Sequence, residues 1–190
     1  MNDISILVNK ENPISIEYIP ENLVEVANPY YKSSFGNCKL EMVDFVRDAF
    51  NALVSSAQKS GFTLYADSAF RPAWYQQKVL EFYINEMGEK AYEKVALPGT
   101  SEHQLGLAID LASLENGTYI DELTEEMPVT KWIHANCAKF GFILRYPKGK
   151  ENITGYAYEP WHIRFVGRDL AEELTANNLT LEEYKLKRGR

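Results

Sequence analysis

The chain has 190 residues, of which 45% are hydrophobic and 25% charged, and it carries a formal net charge of −7. Those values exclude a disordered or fibrous protein, and the length suits one domain with a substantial core. The acidic balance excludes a nucleic-acid partner, which requires a basic patch or stripe; the one basic cluster, Lys185 to Arg190, reads as a solvated C-terminus.

No internal repeat, low-complexity tract or Ser/Gly linker divides the chain. Residues 1–37 are rich in Pro, Asn and Tyr (Asn12-Pro13, Ile19-Pro20, Asn28-Pro29-Tyr30-Tyr31) and read as an irregular arm packed over a core formed by residues 38–190. Cys38 and Cys137 lack metal or redox spacing and read as small buried hydrophobes rather than a disulfide. The N-terminus has neither a basic n-region nor an apolar h-region, and no 18 apolar residues run together. No membrane segment is therefore expected. As it stands the chain reads as cytoplasmic, and as extracytoplasmic if a leader or anchor has been removed.

From Leu40 to Ser60, Leu40, Val43, Val46, Phe50, Leu53, Val54 and Ala57 recur at helical spacing, and Gly61 supplies the stop. Residues 62–70 predict a buried strand. Pro72 then opens a second helix carrying Tyr75, Val79, Phe82, Tyr83 and Met87, which leaves Arg71 at a strand-to-helix junction. Residues 106–112 and 142–146 predict strands, with a helix over 129–139 between them that ends before Gly141. A strand over 156–166 is interrupted at Pro160. A helix over 168–176 follows, and a last turn begins at Thr180, where Glu183 completes a capping box. Helices early and strands late predict a single α+β domain, with a mainly antiparallel sheet carrying the functional site and helices flanking it.

Two segments carry chemistry: Ser101-Glu102-His103-Gln104-Leu105-Gly106-Leu107-Ala108-Ile109-Asp110 and Glu159-Pro160-Trp161-His162. Two imidazoles, a carboxylate in ligand position and a spare carboxylate are the parts of a catalytic zinc site, in which three protein ligands leave one position open. His103 and Asp110 are seven residues apart, so on one regular strand they would face opposite sides. They converge only if the chain bends, and Gly106 is the expected bend. Pro160 prevents a regular ladder between Glu159 and His162, and Trp161 is available to pack beneath. Glu159, beside the metal without ligating it, is placed to move a proton. Taken singly, His103 reads equally as a structural histidine, Asp110 as a turn residue and Glu159 as a surface group; their coincidence favours the zinc site. His134, within an amphipathic helix, reads as structural.

The pattern Ser-x-His-x-x-Gly-x-Ala-x-Asp followed by Glu-x-Trp-His resembles the zinc D-alanyl-D-alanine carboxypeptidases of the VanY type, relatives of the LdcB L,D-carboxypeptidases and the VanX and VanXY dipeptidases. The likeness runs from about residue 60 to residue 166. It includes Ser68-Ala69-Phe70-Arg71, similar to the family's Ser-Gly-Tyr-Arg, and Gln76 five residues on. The resemblance implies that His103, Asp110 and His162 ligate Zn2+ and that Glu159 is the general base. It implies that Arg71 neutralises a substrate oxygen and that Ser68, Gln76 and Ser101 line the pocket for a terminal D-alanine. Ala69 and Phe70 depart from the pattern, and Phe70 lacks the tyrosine hydroxyl.

The activity implied is a D,D-carboxypeptidase that removes the terminal D-alanine from peptidoglycan precursor stem peptides. Asp67, next to Ser68, leaves open a D-Ala-D-Ala dipeptidase activity of the vancomycin-resistance type. The alternatives are an L,D-carboxypeptidase or other cell-wall peptidase, and a non-catalytic zinc-containing binding module. Glu159 and Arg71 weigh against the module, because a structural metal site needs neither.

Overall fold

The computed structural model describes residues 3–26 and 39–188; Cys38 and the Tyr30-Tyr31 pair lie outside them. In chain order the elements are β1 (Leu23–Glu25), β2 (Glu41–Val43), α1 (Asp44–Lys59), β3 (Leu64–Ser68), α2 (Ala73–Met87), α3 (Ala91–Lys94), β4 (Ala108–Glu115), β5 (Thr118–Ile120), α4 (Pro128–Asn136), β6 (Phe142–Leu144), α5 (Glu151–Thr154), β7 (His162–Phe165), α6 (Arg168–Ala176) and α7 (Leu181–Arg188). Short 3-10 turns precede α3, β4 and β6; the one before β4 spans Glu102–Leu105. Strands β3, β4, β7 and β6 lie side by side in that order, β5 extends along β4, and every pairing is antiparallel. This is the α+β architecture with an antiparallel sheet that the element pattern predicts.

Alternation along the strands gives the sheet two unlike faces. Ile109 and Leu111 of β4, Ile163 of β7 and Leu64 and Ala66 of β3 face the main core. They meet Val46, Phe50, Leu53 and Ala57, spaced four, three and four apart on one side of α1, and Val129 and Ile133 of α4. Leu53 is fully buried, and truncating such a side chain removes about 2–5 kcal/mol. The opposite face is divided. Near β6 it is covered by α6 and α7, whose Ala171, Leu174, Leu181 and Tyr184 pack on Ile143 and Val166. Farther along it is open, and there the sheet presents Asp110 and His162.

Differences from the sequence reading have tertiary causes. The first helix begins at Asp44 rather than Leu40, because Glu41–Val43 pair with β1 of the N-terminal arm, Leu23 opposite Val43 and Glu25 opposite Glu41. The arm is thus not wholly irregular: a long-range ladder overrides helical spacing in one place and supplies a strand in the other. The interrupted strand over 156–166 forms a ladder only from His162 onward, after a turn in which the His162 amide donates to the Glu159 carbonyl at 3.2 Å. The capping box forms as expected: the Thr180 amide donates to Glu183 Oε2 at 2.8 Å, and the Glu183 amide donates to Thr180 Oγ1 at 3.2 Å. Among the described residues no helix is long and apolar enough to cross a membrane.

The expected bend lies at Gly106, which has φ 67° and ends the Glu102–Leu105 turn. A Cβ there would also stand 3.1–3.3 Å from side-chain atoms of Val43, Leu23 and Pro20. Gly106→Ala is expected to destabilise the protein by about 1–2 kcal/mol from the left-handed backbone alone. Urea unfolding measures this, and an unchanged midpoint would contradict it.

Candidate active site

Register assembles half of the site. Asp110 lies opposite His162 across the β4–β7 ladder and opposite Ser68 across β3–β4, so the three side chains share the open face. The β3–β4 register shifts between Ala66 and Ser68, a bulge that absorbs Asp67 and brings Ser68 level with Asp110. His103 arrives from outside the sheet, on the turn that Gly106 ends.

The cluster is close. His103 Nε2 lies 3.0 Å from Asp110 Oδ2, and His162 Nδ1 lies 2.8 Å from Asp110 Oδ1. The two imidazoles stand edge to face with centroids 5.0 Å apart. One ligand atom from each of the three residues falls within 4.8 Å of the others. His103 Nδ1 is 2.7 Å from the Ala69 carbonyl oxygen, which can only accept, so Nδ1 carries the hydrogen. In the neutral ring Nε2 then meets Asp110 Oδ2 as one acceptor facing another, an arrangement that calls for a cation between them. Two imidazoles, each able to ligate once its ring is neutral, and a carboxylate are a donor set that fits zinc with one position open.

The titration of these groups follows from the same geometry. Burial pulls His162 down, but its contacts with Asp110 and Glu102 outweigh burial and hold it up at about 9. Burial also pulls His103 down, and Arg71 adds to that, so the nearby Asp110 does not compensate. Burial works against the Asp110 carboxylate, yet the two imidazoles keep it well below the usual carboxylate range.

Glu159 stands next to this cluster, Oε2 3.7 Å from His162 Nδ1. Burial pushes its carboxyl up to about 7, in the range where a proton can be both taken and returned near neutral pH. Its loop is pinned at three points. The Glu159 amide donates to the Tyr146 carbonyl at 3.2 Å, the Leu111 amide donates to the Trp161 carbonyl at 3.0 Å, and His134 Nε2 lies 3.0 Å from the Pro160 carbonyl. His134 therefore has the structural role expected of it, holding the turn that presents Glu159.

All eight residues singled out in the sequence, Ser68, Arg71, Gln76, Ser101, His103, Asp110, Glu159 and His162, line one cavity of about 670 Å³, a size suited to a small peptide end. The Arg71 amide donates to the His103 carbonyl at 3.1 Å, and its Nε is buried without a hydrogen-bond partner among the described residues. Gln76 Nε2 donates to the Ala96 carbonyl at 2.7 Å, which leaves Oε1 as a buried, unpartnered acceptor. Asp67 is engaged within the chain, accepting from the Tyr119 hydroxyl at 2.8 Å.

Sequence reasoning passed over Glu102, Arg145 and Arg164, which form a fully buried ion cluster against His162. A signal was present for one of them: Arg145 stands in an apolar strand pattern, and a charge is not buried without a partner.

An antiparallel sheet that presents two histidines and an aspartate beside a buried glutamate carries a donor set that could hold a metal ion. The comparisons with known proteins give the family. A family model described as VanY, D-alanyl-D-alanine carboxypeptidase, matches residues 39–168, and the chain belongs to that family. YodJ of Bacillus subtilis (strain 168) is 42% identical over 183 residues, which cover 94% of this chain and 65% of YodJ. The bifunctional D-Ala-D-Ala dipeptidase and D-Ala-D-Ala carboxypeptidase VanXYC of Enterococcus gallinarum is 35% identical, over 94% of this chain and 91% of its own. The LdcB LD-carboxypeptidase structure superposes with a TM-score of 0.82 at 41% identity, covering 97% of this chain and 86% of LdcB. A VanY D,D-pentapeptidase mutant in complex with Zn(II) superposes with a TM-score of 0.79 at 33% identity, covering 95% of this chain and 97% of that one. VanYB in complex with D-alanine-D-alanine gives the same score and identity, covering 95% of this chain and 96% of its own.

The raised His162 has a consequence for the chelator-stripped protein. A group held at about 9 when folded and near 6.5 when unfolded contributes stability that is full below pH 6.5 and is lost as pH rises through 9. The loss is expected to be about 3 kcal/mol, from about 1.4 kcal/mol per pKa unit. Urea unfolding at about pH 6 and about pH 10 measures it; equal stability at both, or the same fall in His162→Gln, would refute the assignment.

Proposed function

We propose that the chain is a zinc carboxypeptidase that removes the terminal D-alanine from peptidoglycan stem peptides, acting foremost on ends of the D-Ala-D-Ala type. The observation that carries this reading is the convergence of His103, Asp110 and His162 with Glu159 and Arg71 on one cavity. Family membership, the Zn(II) complex of VanY and the D-alanine-D-alanine complex of VanYB support it.

His103 Nε2, Asp110 and His162 Nδ1 would hold the ion. When bound there, zinc supplies a Lewis acid that makes water a nucleophile at neutral pH and polarises the scissile carbonyl. Glu159 accepts a proton from the attacking water and delivers it to the departing amine; its carboxyl, raised to about 7, suits both halves of that transfer. The Arg71 guanidinium faces the same cavity and offers its unpartnered Nε–H to an anionic oxygen, either the terminal carboxylate or the charge that develops on the carbonyl. Ser68, Gln76 and Ser101 form the wall around the leaving D-alanine, with Gln76 Oε1 free to accept.

A second reading, cleavage of an L,D bond in a tetrapeptide stem, is favoured by the likeness to LdcB. The deciding experiment gives the zinc-loaded protein a D-Ala-D-Ala pentapeptide, an L,D-tetrapeptide and free D-Ala-D-Ala. D-alanine released from the pentapeptide alone supports the first reading, and release from free D-Ala-D-Ala as well adds a dipeptidase activity. Release from the tetrapeptide alone moves the chain to the L,D branch. Bound zinc with no cleavage of any substrate would leave a binding module.

Glu159→Gln is expected to lower kcat by about 10²–10⁴-fold and to keep its zinc by elemental analysis; near-normal turnover would remove Glu159 from the mechanism. Arg71→Ala is expected to lower kcat/KM by about 10²–10³-fold. Steady-state kinetics on the preferred peptide reads this loss, and an unchanged value would exclude Arg71 from oxyanion or carboxylate binding.

A further inference from the structure

We propose that Glu102 is a positioning residue for His162, holding the imidazole so that Nδ1 is presented to the metal, and that an ion-pair network drawn from both ends of the chain holds Glu102. The inference rests on the reading of His103, Asp110 and His162 as a metal site.

Glu102 is the residue between Ser101 and His103, and its side chain is completely buried. Oε1 takes Arg145 Nε at 2.8 Å and pairs with Arg164 Nη1 at 2.7 Å. Oε2 is buried and has no hydrogen-bond partner among the described residues. The His162 Nε2 atom, 3.9 Å away, is buried and unpartnered in the same way. A donor and an acceptor, each deprived of water, thus face one another across a gap longer than a hydrogen bond. A displacement of roughly 1 Å closes it to hydrogen-bond length.

The consequence lies on the other side of the ring. Nδ1 of His162 meets Asp110 at 2.8 Å. An imidazole whose Nε2–H is directed at a carboxylate exposes the Nδ1 lone pair and is held in one orientation, the usual support of a histidine that ligates metal. His103 has the mirror arrangement, with Nδ1 on the Ala69 carbonyl and Nε2 toward Asp110. Each histidine is then supported from behind, one by a backbone carbonyl and the other by Glu102.

Glu102 is itself fixed from two directions. Arg145 forms a two-pronged pair with Glu182 of α7, Nη1 to Oε2 at 2.9 Å and Nη2 to Oε1 at 2.6 Å, and Asn9 of the arm donates to the same carboxylate at 3.3 Å. Arg164 Nη2 donates to the carbonyls of Ile4 and Ile6, both at 3.0 Å, and its Nε donates to the Phe165 carbonyl at 3.1 Å. Two arginines and two glutamates balance in charge. Buried ion pairs contribute little stability beyond what apolar packing of the same volume gives, so stability alone is a weak account of this network. Fixing one carboxylate oxygen behind His162 accounts for it.

The test is the zinc affinity of Glu102→Gln against wild type, by competition with a chromogenic chelator, beside thermal unfolding of the metal-free forms. The expected result is a folded variant that binds zinc about 10–100-fold more weakly, with a changed 15N shift at the His162 imidazole and little change at His103. A purely structural brace would lower the melting temperature and leave both the affinity of the folded protein and the imidazole shifts unchanged, which would overturn the proposal. Should Glu102→Gln not fold, Glu182→Gln decides. It keeps Glu102 but frees Arg145, and it is expected to weaken zinc binding in the same direction by a smaller factor; wild-type affinity there overturns the proposal. A wild-type protein that takes up no zinc would instead overturn the metal reading, and the inference with it.

Discussion

The alignment of Asp110 with His162 across the β4–β7 ladder is the constraint on which the rest of the site depends. A side chain on a strand has one face available, and a slip of one residue would send Asp110 into the core and Ile109 into the cavity. The apolar partners prevent that slip. Ile109 sits opposite Ile163 in the same ladder, both fully buried, so the burial that stabilises the fold also holds the two polar neighbours together. Geometry at the site is thereby maintained by hydrophobic packing one residue away.

The open face of the sheet is polar at one end and covered at the other, and the boundary runs through β7. His162 lies on the cavity side, while Arg164, two residues on and on the same face, lies beneath the N-terminal arm. Between them Glu102 meets both. Burial disfavours its carboxylate, yet Arg145 and Arg164 hold it ionised, well below the usual carboxylate range. The His103–Asp110–His162 cluster, the Glu159 carboxyl and the buried ion network are contiguous groups in one low-dielectric region, where charges count for more than at the surface.

The cavity also explains why the flanking elements take their particular form. The junction from β3 to α2 places Arg71 against the turn that carries His103, joined to it by a backbone hydrogen bond. The loop before β7 has no ladder of its own, and its three pins, from Tyr146, Leu111 and His134, take the place of one. A non-repetitive loop held this way can aim Glu159 at an angle that a regular strand would not allow.

Much of this was legible in the sequence. Local periodicity located α1, α2 and α6, the capping box predicted the start of α7, and an odd spacing with one glycine predicted the bend between His103 and Asp110. All eight candidate residues reach the same cavity: five stand in the two motifs, each short enough to be positioned by a local turn, and Ser68, Arg71 and Gln76 stand at the β3-to-α2 junction. The β1–β2 ladder was not legible, since its partners are 16 to 20 residues apart and carry no alternation that either strand shows alone. Nor was the link from Glu102 to Arg145, Arg164 and Glu182, which are 43, 62 and 80 positions away. The sequence by itself determined which side chains form the candidate site and which way each local segment turns, because spacing and backbone preference are properties of neighbours along the chain. Only the tertiary structure decided what stands behind those side chains. Burial, pKa and the partner of a buried charge are set by groups remote in sequence that share one small volume.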